Sequence, residues 1–327
     1  MHRFQISPTE KLGREFEVKI RQVWCVPFII IALECYFFGP QLDLVKIKAQ
    51  TDGRAKFPIG LNNSELSNIT INDVNRERRR VKLSKQNVKK LRSVDFSKFD
   101  RSVESFWTCI YFCLWRTKLD LTPSECKAYS LLRLYICYTP FIYEDKLHII
   151  NRGVCSGSFT TNLRDSFVNL SILNLTTNLE ENFILFARKI VYENKSIFSL
   201  CKEINKLLIP HVYFPENYGC KVYGDDGIFL KSEFFFLLHR ELSFNLGMTV
   251  NYEDVLEDGS FYFLGRFWDI ENRPWHTYSY MMAHIRFRTK WYKKEDTPFD
   301  ISEKLHLYRV LSICLPLRDG IDFLENV

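Results

Sequence analysis

Two adjacent carboxylates, Asp225 and Asp226, stand between Gly224 and Gly227 and between the short apolar runs Lys221-Val222-Tyr223 and Ile228-Phe229-Leu230. Glycine beside aspartate between such runs is a hairpin signal. Neighbouring negative charges at a hairpin tip repel, and a hard divalent cation with oxygen ligands removes that cost. A solvated turn uses the same residue types, so this pair alone decides nothing. A second acidic pair, Asp95 and Asp100, brackets Phe96-Ser97-Lys98-Phe99. Val94-Asp95-Phe96 reads as a short strand leading into a helix from about 102 to 115. Asp95 then lies at a strand end, from which a carboxylate can point at a metal beside a neighbouring strand. The competing reading of Asp100 is an acid favoured by a helix N-terminus. The third segment is Gly153-Val154-Cys155-Ser156-Gly157-Ser158-Phe159-Thr160-Thr161, whose small residues let backbone approach a ligand closely. Beyond it Thr161, Asp165 and Asn169 recur every four residues on one helix face. That polar stripe is either solvated or faces a polar substrate.

The rest of the chain must position these segments. Its 327 residues are 46% hydrophobic and 26% charged, which supports a sizeable core and argues against disorder. The formal charge of +6 permits a nucleic-acid partner without demanding one. Arg76, Arg78, Arg79, Arg80, Lys82, Lys85, Lys89, Lys90 and Arg92 form one dense basic stretch. It is either a solvated helix face or an electrostatic wall for phosphates. Ten cysteines show no C-x-x-C pair and no zinc-finger spacing, so reduced thiols fit best, with Cys109 and Cys113 in core packing. The apolar run Val23–Gly39 is short for a membrane span and contains Pro27 and Glu34; it reads as a buried helix over 28–38. Residues 46–75, with Asp52-Gly53, Pro58 and Gly60, read as an irregular excursion. Thr122-Pro123-Ser124-Glu125 starts a helix, and Phe141–Ile150 is a hairpin about Glu144-Asp145. Helices are expected over about 158–173, 179–208 and 233–244, and one strand over 261–268. Strands and helices mix without regular alternation, which favours an α+β fold.

Taken in chain order, D-x4-D, S-G-x3-T with a downstream Asn, and G-D-D resemble motifs A, B and C of viral RNA-dependent RNA polymerases. Lys19-Ile20-Arg21-Gln22-Val23-Trp24-Cys25-Val26-Pro27, followed by Leu33-Glu34, resembles motif F of the partitivirus-like branch, whose genomes are double-stranded RNA. Gly247–Glu253 resembles motif D and Phe263-Leu264-Gly265 motif E, so the resemblance spans about residues 19–268. It implies a right-hand fold of fingers, palm and thumb, with a small antiparallel palm sheet flanked by helices. Residues 1–93 would be partial fingers. Residues 94–270 would be palm, with a fingers insertion near 115–150, and 271–327 the start of a truncated thumb. It implies template-directed RNA synthesis from ribonucleoside triphosphates by two Mg²⁺ ions, with Mn²⁺ a substitute, held by Asp95, Asp225 and Asp226. Lys19 and Arg21 would contact the triphosphate. Asp100 and Asn169, with Ser156 and Thr161 nearby, would read the ribose 2′-hydroxyl, and Gly157 would leave space. Implied partners are template and nascent RNA and the capsid protein, without a membrane, in the host cytoplasm within the virion. Asp254 departs from the pattern: it stands where relatives carry a lysine proposed as general acid, and an aspartate is a poor acid near neutral pH unless its pKa is raised. A non-catalytic RNA-binding remnant and a reverse transcriptase are the alternatives.

Overall fold

In this computed structural model β3 (Lys90–Ser97) is flanked on both sides by strands from much later in the chain. The described residues are 2–7, 17–22, 26–83, 89–155, 157–193 and 219–278, with short pieces at 281–282, 306–307, 310–311, 317 and 320. A four-stranded sheet has the order β6 (Lys221–Tyr223), β7 (Asp226–Lys231), β3, β8 (Thr249–Asp254), every neighbouring pair antiparallel. Val94 of β3 pairs with Gly227 of β7, and Asp95 with Asn251 of β8. β3 and β7 bury Val94, Phe96 and Phe229 against helices that contribute Trp107, Val168, Ile172 and Phe235. The mixture of helices with a small antiparallel sheet matches the α+β expectation.

Those helices are α5 (Ser105–Arg116), α7 (Thr161–Glu193) and α8 (Glu233–Asn245). Between β3 and α5 lies the single turn α4 (Phe99–Ser102). The two helices expected over 158–173 and 179–208 are one helix of 33 residues as far as Glu193; the remainder lies outside the described residues. No glycine or proline interrupts that span. Its central threonines, Thr176 and Thr177, donate back to the carbonyls of Ile172 and Leu173 instead of breaking the helix.

α1 corrects two further expectations. It runs Phe28–Thr51, far beyond 38, and it is only partly buried: Glu34, Phe37, Phe38 and Ala49 face inward, while Phe28 and Ile29 are exposed. Among the described residues it has the length and hydropathy to cross a membrane, so it is not too short for that. Its inner face meets α5 and α6 (Pro123–Cys137) in an aromatic cluster, where Phe38 stacks on Tyr111 with ring centroids 5.4 Å apart. The excursion expected over 46–75 shrinks to about 52–62, around its glycines and Pro58. After it come α2 (Asn63–Glu65), a π-helical stretch Leu66–Ile71 and α3 (Asn72–Leu83); Asn62 and Glu65 cap α2 reciprocally. The basic stretch therefore begins on α3, where Arg76, Arg79, Arg80 and Lys82 are exposed.

β4 (Thr139–Tyr143) and β5 (Lys146–Ile150) form the expected hairpin, with positive φ at Glu144 and Asp145 as a type I′ turn requires. The strand expected over 261–268 is itself a hairpin: β9 (Phe261–Phe263) and β10 (Arg266–Trp268) turn at Leu264-Gly265, both at positive φ. β11 (Pro274–Trp275) completes that three-stranded sheet. β1 (His2–Ser7) pairs with β2 (Glu17–Gln22). The described cysteines are free, as expected, but Cys113 is exposed, because α5 buries Trp107, Thr108, Tyr111 and Phe112 instead.

Candidate active site

The β6–β7 hairpin has a two-residue turn, Gly224-Asp225, with Tyr223 paired to Asp226. Gly224 has φ +62°, the conformation a type II′ turn needs at its first central residue. Two α7 side chains hold this turn. Ser166 Oγ accepts from the Gly224 amide at 2.8 Å. Fully buried Asn169 directs its amide nitrogen at the carbonyls of Gly224, Asp225 and Asp226, at 3.2, 3.4 and 3.4 Å. At the other end of β6 the Lys221 ammonium is buried. It donates to the carbonyls of Gly53 and Ala55 and lies 2.8 Å from the Asp73 carboxylate of α3. Burial pushes the Lys221 pKa below its ordinary value, with Asp73 opposing. The amide of Val222 adds a bond to the Lys56 carbonyl at 2.9 Å. The acidic turn is thus anchored both at its tip and at its root.

Asp95 is one residue past Val94, and Asp226 is one residue before Gly227, the partner of Val94. Asp95 and Asp226 are thus each one position beyond the last paired residues of β3 and β7, at the same end of that ladder. Asp95, Asp225 and Asp226 are all half-buried. Asp100 is exposed on α4. Its carbonyl accepts from Val154 at 2.6 Å, and a Cβ on Gly153 would come within 2.8 Å of that same oxygen. Gly153, at φ +96°, is therefore what lets the loop before α7 close on α4. Asp165 lies between the segments. Burial raises its pKa well above the ordinary carboxylate value; Arg164 opposes this, while Asp100 and Asp225 push it further up. Asp165 of α7 is therefore within the electrostatic reach of carboxylates on α4 and on the β6–β7 turn. Asp165 Oδ1 and Asn169 Oδ1 are buried without a hydrogen-bond partner among the described residues. The Thr161–Asp165–Asn169 stripe is turned inward, not solvated: Asp165 and Asn169 are buried and Thr161 is half-buried.

A family model described as viral RNA-dependent RNA polymerase matches residues 6–280. The chain belongs to that family. It is 36% identical over 77 residues to the RNA-directed RNA polymerase of Cryptosporidium parvum virus 1 (strain KSU-1), a stretch covering 24% of this chain and 15% of that protein. Its fold is that of the RNA-dependent RNA polymerase of a human picobirnavirus. The TM-score is 0.62 at 15% identity, over 94% of this chain and 51% of that one. The insertion-loop deletion mutant of a human picobirnavirus polymerase gives a TM-score of 0.64 at 14% identity, over 94% and 53%. The chain therefore spans about half the length of these solved polymerases and a smaller share of the curated relative.

Polymerases of this family use divalent metal ions. Among the described residues of this member no three His, Cys, Asp or Glu side chains are grouped as a ready-made metal cage. Magnesium does not require one, since it binds through one or two carboxylates and fills its shell with water and substrate phosphates. The oxygen-only donor set of Asp95, Asp225 and Asp226 fits that habit. Of the other polymerase positions named from sequence, Gly157 is half-buried in the loop before α7. The Thr161 hydroxyl is shared between the carbonyls of Cys155 and Ser158, at 2.6 and 2.9 Å, and so closes that loop. Ser156 lies outside the described residues. Lys19 and Arg21 are in β2, opposite Gln5 and Arg3; their side chains lie outside the described residues. Asp254 is three positions from the Asn251 that faces Asp95, and Arg92 holds it at 2.6 Å. Sequence reasoning missed Ser166 and Lys221 as supports of the acidic turn. A lysine amid apolar neighbours in a candidate strand was the available signal for Lys221; Ser166 offered none.

Proposed function

We propose that the chain carries the catalytic centre of a template-directed RNA polymerase of a double-stranded RNA virus, joining ribonucleoside triphosphates to a growing RNA. The observation that supports this reading is the Val94–Gly227 pairing, beyond which Asp95 continues β3 and Asp226 leads into the acidic turn. In this reading residues 1–93 belong to the fingers, 94–270 to the palm with a fingers insertion near 115–150, and 271–327 to the thumb. Asp95 and Asp225, with Asp226, are the carboxylates for two magnesium ions. When bound, such ions neutralise the attacking 3′-oxygen and the leaving pyrophosphate. The chain itself supplies position. The Asn169 and Ser166 bonds to the turn fix where Asp225 stands, at no reorganisation cost during the reaction. Asn169 Oδ1, buried without a donor, is the acceptor offered to the ribose 2′-hydroxyl, together with Asp100. A buried acceptor left unpaired by a deoxyribose penalises that substrate. Lys19 and Arg21 pair with the triphosphate, while Ser156, Gly157 and Thr161 shape the nucleotide side of the loop. Partners are template and nascent RNA and, in the host cytoplasm within the virion, the capsid protein.

The test is primed extension on an RNA template in magnesium with the purified chain, comparing ribonucleotides with deoxynucleotides. Asp225→Ala should abolish incorporation, and Asp100→Ala should narrow the preference for ribonucleotides. Near-normal incorporation by Asp225→Ala refutes the site assignment. Salt-sensitive RNA binding by the unaltered chain without extension refutes the activity and favours an RNA-binding role.

A further inference from the structure

A carboxylate without solvent exposure is costly unless donors surround it. Glu34 of α1 is fully buried. Its carboxylate accepts from Ser158 Oγ, from the Phe159 amide at 2.9 Å and from Thr160 Oγ1 at 2.7 Å. All three donors lie between Gly157 and Thr161, in the loop that leads into α7. Buried Arg164, on the first turn of α7, donates to Ser158 Oγ at 3.0 Å. The Ser158 proton is thereby committed to Glu34. Arg164, with an unpartnered Nε, also borders a cavity of about 10 Å³ with Ile30, Tyr135, Thr139, Cys155 and Ser158, room for one water. Every group directed at Glu34 is a donor, so the site specifies a carboxylate; a glutamine amide would turn its own N–H toward one of them. The loop is thus clasped from outside by α1 and from within by the Thr161 hydroxyl. α1 follows β2, the strand carrying Lys19 and Arg21.

We propose that Glu34 is a positioning residue that fixes the Ser158–Thr160 loop onto α1, so that the loop holds one arrangement beside the nucleotide. Glu34 acts through the loop and touches no substrate. Its effect on nucleotide use rests on the polymerase reading; the clasp itself does not.

Two measurements on the purified chain test this. In Glu34→Gln, amide exchange within 157–161 accelerates about ten- to a hundredfold, the size of losing hydrogen bonds to a charged acceptor, while α8 keeps its protection. The KM for ribonucleotides rises more than kcat falls. Ser158→Ala with Thr160→Val, which leaves Glu34 in place, produces the same two changes, and combining it with Glu34→Gln adds little further. The clasp is overturned by unchanged exchange in 157–161, by equal loss of protection in α8, or by additive effects of the two sets. If the unaltered chain incorporates nothing, the polymerase reading fails, and the exchange pattern still decides the clasp.

Discussion

Replacing Lys221 by methionine keeps the length and apolar stem of the side chain and deletes its charge. The Lys221 side chain is 1% exposed and that of Asp73 5% exposed. Methionine strips Asp73 of its buried partner and takes the donor from the carbonyls of Gly53 and Ala55. Breaking one side of a buried ion pair costs about 3–5 kcal/mol. Arg76 also pairs with Asp73 but is 57% exposed, so it offsets only part of this loss. The orphaned carbonyls add about 1 kcal/mol or more each. A net loss of about 3–5 kcal/mol follows, a large share of the roughly 5–15 kcal/mol that holds a typical domain. Urea unfolding followed by tryptophan fluorescence reads it as a lower midpoint at unchanged slope. Lys221→Met combined with Asp73→Leu removes the stranded charge and recovers at least about half of the loss, because an apolar replacement of a buried pair is close to neutral. A single-variant loss below about 1 kcal/mol, or a double variant less stable than the single, would show that the root of the acidic hairpin is held by something else.

Other perturbations probe the surroundings. Burial lowers the His239 pKa to about 3, whereas an unfolded histidine titrates near 6.5. Between those values the unfolded chain holds the extra proton. Stability therefore falls with acidification, by about 2 kcal/mol from pH 7.5 to 5 from this group; His239→Phe should flatten the melting temperature over that range, and an unaltered slope counts against the assignment. Gly153→Ala must place a Cβ at 2.8 Å from the Asp100 carbonyl at positive φ; about 1–3 kcal/mol of destabilisation and weakened RNA synthesis are expected, and an unchanged melting curve would contradict the close approach. Asn169→Leu deprives three carbonyls of their donor, and incorporation should drop at least about tenfold while RNA binding persists; equal loss of both would point to misfolding. Thr122→Ala removes a reciprocal helix cap and should cost about 1 kcal/mol in urea without affecting RNA synthesis.

Local signals carried far in this chain. Proline after threonine with glutamate three residues on marked the start of α6, and glycine beside aspartate marked the β6–β7 turn, because both depend on backbone preferences of a few residues. The gathering of motif A, B and C segments was legible only through their order and its resemblance to a polymerase family. What stayed hidden depends on partners distant in the chain. Glu34 was legible as an acid in an apolar run and as part of the motif F resemblance, but its donors lie 124 to 126 residues away and were not. α7 looked broken at Asn174–Asn178 because polar and β-branched residues lower helix propensity, but packing against α8 and β6 overrides it. The length of α1 was concealed by Pro40, which it accommodates in its interior.

The central place of β3 has a consequence for biosynthesis. Both strands that flank it are made long afterwards; Arg92 waits 162 residues for Asp254. A ribosome therefore releases β3 with two bare edges and the apolar side chains of Leu91, Val94 and Phe96; one edge stays bare until translation has passed residue 231 and the other until it has passed residue 254. Polypeptides ending before that point would offer an open template for intermolecular pairing, and they should accumulate as insoluble material.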